Sequence, residues 1–236
     1  MNDALKQGES GRSFFERVLF GFFLFFLFVI PLFVTTLIDE TEDKWFLIRV
    51  VGPTLLVLLV IYLSGKEIGR PHLDGLVVFA VAWLAFQLFS LLDTANMGVS
   101  LGVITRQVGL LSFFFVARYF SRDFSAIVRI GYVLVLVGFA TSVYGVAQHF
   151  GYDFIHWQRH SEVPIERGVS FMGHATFAAS VLVMLIPISV MIGFVTNSRL
   201  GRIAMGVSGL VMLYHLSFTG ARVANVALFL SAAVTT

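Results

Sequence analysis

The sequence predicts an all-α fold, a polytopic bundle of transmembrane helices, and three observations carry that expectation. Apolar residues make up 58% of the 236 positions and mean hydropathy is +0.89, more apolar surface than a water-soluble core needs. They fall in runs close to the about 20 residues that cross a hydrocarbon core of about 30 Å. Charged residues are only 13% of the chain, and most gather near the ends of these runs.

Taken in order, Val18–Leu37 follows Lys6, Arg12 and Arg17. It outlasts the about 7–15 apolar residues of a signal peptide and no small-x-small cleavage site follows, so it reads as a retained signal anchor behind a cytoplasmic tail, residues 1–13. Trp45–Leu63 and Gly75–Leu92 are the second and third spans. Val103–Phe120 is the weakest, because Arg106 and Arg118 leave a strictly apolar stretch of only Val108–Ala117. Ile130–Phe150 carries Gly131, Gly138 and Gly145 at seven-residue intervals, a small-residue stripe suited to close helix packing. Phe171–Val195 contains Pro187, as the first span contains Pro31, and bundles tolerate such kinks when neighbours satisfy the freed carbonyls. Ile203–Phe218 is the seventh span. An eighth apolar run, Val223–Val234, is 12 residues, or about 18 Å at 1.5 Å per residue, too short to cross. The expectation is therefore a single transmembrane domain, residues 1–236, forming the N-terminal part of a longer membrane protein.

Placement of Lys and Arg predicts a cytoplasmic N-terminus. That orientation puts ten basic residues inside and six outside, and the first outward segment, "IDETEDK", is acidic. The chain has no cysteine, which excludes disulfides and thiolate metal sites. No nucleotide-binding loop or nucleophile elbow is present. Of the histidines, only His156 and His160 have helical i, i+4 spacing, and nothing completes a metal site with them.

The outward cations are the candidate binding residues. Arg222, in "SFTGARVANV", lies between apolar runs with no acidic residue within fifty positions, beside the small residues Thr219, Gly220 and Ala221. Arg106 also lies in or beside a span, where an ionisable group is by default a functional candidate facing a cavity. Arginine forks match phosphate oxygens bidentately, so a converging set would hold a diphosphate. Arg159 and Arg167 stand in "WQRHSEVPIERG" with Glu162 and Glu166 available as partners on a solvated surface. His174 opens the sixth span, where it suits either a helix cap or a site for a phosphate or sugar hydroxyl.

"SVYGVAQHFGYDFIHWQRH", "ERGVSFMGHATFAASVLVMLIPISV" and "LSFTGARVANVALFLS" follow one another in an order and spacing that resembles the O-antigen ligase and O-antigen polymerase superfamily, bacterial membrane glycosyltransferases. The resemblance runs from about Phe14 to the end and rests on the combination of motifs, together with the acidic "DETEDKW" before the second span. It implies transfer of a glycan from a polyprenyl diphosphate carrier to a lipid A core, glycan or protein acceptor on the periplasmic side of the inner membrane. It implies no metal or nucleotide cofactor, and no nucleic acid is among the expected partners, which otherwise include membrane lipids. By position, Arg222 resembles the arginine that engages the carrier's diphosphate. His174 stands where the family often has asparagine, and the family's catalytic histidine lies in a large outward loop beyond residue 236, so no catalytic residue is assigned here. Two other classes remain open: a solute transporter of bicarbonate-like type, and an inactive fragment.

Overall fold

A computed structural model of the chain describes residues 13–34, 40–65, 75–155, 168–224 and 226–228. Among them it forms helices α1 (Phe14–Leu32), α2 (Glu40–Ser64), α3 (Gly75–Phe89, continued by the 3-10 turn Ser90–Asp93), α4 (Met97–Phe120), α5 (Phe124–His149), α6 (Ala175–Val195) and α7 (Arg199–Phe218). A further helical turn starts at Arg222. Seven helical segments are long and apolar enough to cross a membrane, and no strand occurs among the described residues. The protein is a polytopic helical membrane bundle.

The helices begin where the sequence supplies caps. Asn96 accepts from Val99 N (3.2 Å), Asp123 from Ser125 N (2.9 Å), His174 from Thr176 N (3.2 Å) and Ser198 from Gly201 N (3.0 Å), each satisfying an N–H that the helix itself leaves orphaned. The weakest expected span is a continuous helix of 24 residues through Arg106. In lipid every backbone group must be bonded internally, so a local charge does not break the helix. The acidic stretch before Trp45 belongs to the first turns of α2, which starts at Glu40. Pro31, Pro53 and Pro187 all sit inside helices.

The helices group into two compact units. One contains Leu24–Lys44 and Asp123–Thr236, the other Glu9–Phe23 and Trp45–Arg122. In the first, α5, α6 and α7 pack around Val135, Leu182, Leu185, Met212 and Leu216. The glycine stripe of α5 is the reason these helices can approach. A Cβ at Gly131 would overlap Ile192, one at Gly138 would lie 2.5 Å from Met212 Sδ, and one at Gly145 would overlap the His215 ring. On α7, a Cβ at Gly209 would lie 2.9 Å from Ser189 Oγ.

In the second unit, α2 and α4 meet backbone to backbone, since a Cβ at Gly52 would lie 2.5 Å from the Gly109 carbonyl oxygen and one at Gly109 would lie 2.6 Å from that of Ile48. Phe20, Phe23, Phe113 and Phe120 form an aromatic cluster, with centroids of Phe20 and Phe120 4.7 Å apart. Beside it, Glu16 accepts from Tyr62 OH (3.0 Å) and Tyr119 OH (3.2 Å), and Ser13 Oγ donates to Tyr62 OH (3.0 Å). One carboxylate thereby ties α1, α2 and α4 together.

Candidate functional site at one end of the α5–α7 unit

The last turns of α5, the end of α7 and the first turn of α6 meet at one end of their unit, the end that the charge pattern assigns to the outside. A short strap, residues 168–173, crosses this end and is bonded into it. Ser170 N donates to Gln148 Oε1 (2.6 Å), Ser170 Oγ donates to the Thr141 carbonyl, and His215 Nε2 donates to the Gly168 carbonyl (3.2 Å). Because a carbonyl only accepts, this bond places the imidazole proton on Nε2. Ser170 itself holds a left-handed φ of 54°. That conformation costs about 1–2 kcal/mol, which two buried hydrogen bonds of about 1 kcal/mol each offset.

His215 is fully buried. It fits only because Gly145 and Gly168 lack side chains: a Cβ at Gly168 would lie 3.1 Å from Nε2 and 2.8 Å from the Gly145 carbonyl oxygen. Its Nδ1 and the hydroxyls of Thr141 and Ser142 are buried with no protein hydrogen-bond partner. On the same helix Gln148 Nε2 donates to Asp153 Oδ2 (3.2 Å), while Tyr144 OH donates to Asp153 Oδ1. The Tyr144 ring also packs against Phe154 and Phe171, at 4.6 and 4.5 Å between centroids. Lys44 donates to the Phe171 carbonyl, and His149 stacks on Phe218 at 3.8 Å. The result is a fixed platform, with its polar groups inside and aromatic rings around them.

Arg222 leaves this platform on an anchored turn. Thr219 is buried and its Oγ1 donates to the Leu216 carbonyl (2.8 Å), Gly220 takes a φ of 66°, and Ala221 and Ala224 pack against the core that includes Ala179 and Leu182. The backbone beneath Arg222 is therefore held while its side chain is exposed. The left-handed φ suits Gly220, where any other residue would be strained.

His174 lies at the same end as the N-cap of α6. Its Nδ1 accepts from Thr176 N (3.2 Å), which puts the ring proton on Nε2, and the residue is exposed. It caps the helix and keeps one outward donor. Arg106 belongs to the other unit, where its guanidinium lies 5.4 Å from the Trp45 ring centre. Nearby, Arg49 Nη2 donates to the Gly102 carbonyl (3.3 Å). Arg159 and Arg167 lie outside the described residues. Of the five candidates, the structure thus brings Arg222 and His174 to one end of one unit.

Sequence reasoning placed Ser170 beside His174 as a possible ligand contact but missed the strap and the anchoring roles of Gln148, Ser170 and His215, Ser170 being bonded inward instead. A histidine inside an apolar run was the available signal, since polar groups at membrane depth need partners. Chemically, the platform offers one fork-shaped cation and one neutral N–H donor at its rim. Among the described residues, no group of three or more His, Cys, Asp or Glu is placed to hold a metal ion. The chain matches no family profile, no curated protein and no solved structure.

Proposed function

We propose that the chain binds the donor in glycan transfer of the O-antigen ligase and polymerase type. In this reading it sits in the bacterial inner membrane and takes a glycan from a polyprenyl diphosphate carrier to a lipid A core, glycan or protein hydroxyl. The observation that carries the reading is Arg222, exposed on a turn whose neighbours on both sides are packed into the core. A prenyl carrier keeps its tail in the hydrocarbon and its diphosphate at the headgroup level. A guanidinium carried on a held turn meets that diphosphate bidentately, and the dianion offsets the cost of placing a cation at the membrane edge. His174 Nε2–H adds a neutral donor for a phosphate or sugar oxygen.

Two measurements test this. Arg222→Ala lowers binding of a polyprenyl diphosphate-linked oligosaccharide to the purified chain. In cells it lowers glycan transfer by about 100-fold or more, the scale of losing one charge-stabilising group. Membrane insertion stays unchanged, and Arg222→Lys restores part of the binding because it keeps the charge but not the fork. Unaltered binding and transfer in the alanine variant would remove Arg222 from the site. Solute uptake by vesicles containing the protein and no glycan donor would favour the transporter instead.

A further inference from the structure

The opposite end of the same unit carries a second feature, independent of the glycan-transfer reading. Between the last turns of α6 and the first turns of α7 lies a groove of about 380 Å³. Its floor is Ser189, Gly193, Gly206 and Gly209, and Arg202 stands in its lining. The rims are apolar and open: Val190 is 53% exposed, Leu210 66% and Phe194 85%. In a membrane-spanning bundle such a face meets acyl chains.

We propose that this groove is a binding site for an anionic phospholipid, with one acyl chain lying along the glycine floor and the phosphate at Arg202. Three features converge on that occupant. The volume falls within the about 300–1,000 Å³ typical of small-molecule sites and suits a chain rather than a whole helix. The groove's one charged wall is a cation, and it lies within four residues of the Ser198 cap where α7 begins, at headgroup level. The positive end of the α7 dipole points the same way, and Arg199 in the same turn adds charge. Basic pockets between helices on the cytoplasmic side, which the charge pattern makes this end, are a recognised geometry for anionic headgroups. A protein helix seated here would instead need a carboxylate to meet Arg202.

The groove is also shaped to be testable. A Cβ at Gly206 would meet nothing within 4 Å, so Gly206→Leu starts a side chain in open space at the groove. The experiment is native mass spectrometry of the detergent-purified chain titrated with phosphatidylglycerol or phosphatidylcholine. The wild type retains phosphatidylglycerol about fivefold better, the weight of one arginine at an anionic surface. Arg202→Gln erases the preference, Arg202→Lys keeps it, and Gly206→Leu lowers retention of both lipids. Inorganic phosphate at millimolar concentration does not displace the lipid, because the acyl chain carries part of the affinity. Equal retention of the two lipids by wild type and Arg202→Gln would overturn the proposal. So would displacement by free phosphate, or a Gly206→Leu variant that loses a dimer while keeping its lipid, since the groove would then seat a second copy of the chain.

Discussion

At the scale of single residues, the small and the buried decide most. The His215 ring fills the space a side chain at Gly145 would need, so Gly145→Val is expected to cost about 2 kcal/mol through overpacking, read as a lower unfolding temperature in detergent. His174 separates two roles by chemistry. If its contribution is the cap, His174→Ala costs about 1 kcal/mol of stability and His174→Asn costs almost none, since asparagine caps as well. A His174→Asn variant that keeps its melting temperature but loses donor binding would assign the Nε2–H to the ligand. Arg222 was legible from sequence because a lone charge between apolar runs needs a reason. His215 was not, because its reason is a carbonyl 47 positions away at Gly168.

At the scale of elements, helix pairs are specified by what is missing from their facing surfaces. Gly52 and Gly109 let α2 and α4 touch, and the α5 stripe does the same for α6 and α7. The seven-residue spacing of that stripe was visible in the sequence, whereas its partners Ile192, Met212 and His215 were not, because they lie on other helices. The Glu16 carboxylate is the polar counterpart in the second unit. Tyr62→Phe and Tyr119→Phe should each cost about 1 kcal/mol, and the pair more than the sum, because either hydroxyl alone still serves the Glu16 carboxylate and losing both strips it of both donors. Thermal unfolding of the two single variants and the double variant measures this; full additivity would show that the bonds act independently. Helix α4 teaches the complementary lesson. Arg106 lowered its apolarity without shortening it, since a helix in lipid has no alternative partner for its backbone.

At the scale of the whole molecule, the placement of Lys and Arg predicts which end faces the cytoplasm. The chain lacks cysteine, so single replacements report cleanly. A membrane-impermeant maleimide should label Ala95→Cys, between α3 and α4, in spheroplasts, and Ser121→Cys, between α4 and α5, only after permeabilisation. The reverse pattern would invert the bundle, and with it the sides assigned to Arg222 and to the Arg202 groove. The seven spans among the described residues were legible in the sequence, because hydrocarbon demands that each helix satisfy its own backbone within about 20 consecutive residues. Their limits were not: α5 runs Phe124–His149 where Ile130–Phe150 was expected, since caps such as Asp123 start the helix before the apolar run begins. The hydrocarbon constraint is local. Which faces meet, which polar groups are buried together and which charges stay exposed are not local. The Ser170 strap over Gln148 and His215, the anchored turn beneath Arg222 and the groove between α6 and α7 join residues far apart in the chain, and only packing in three dimensions brings them within reach.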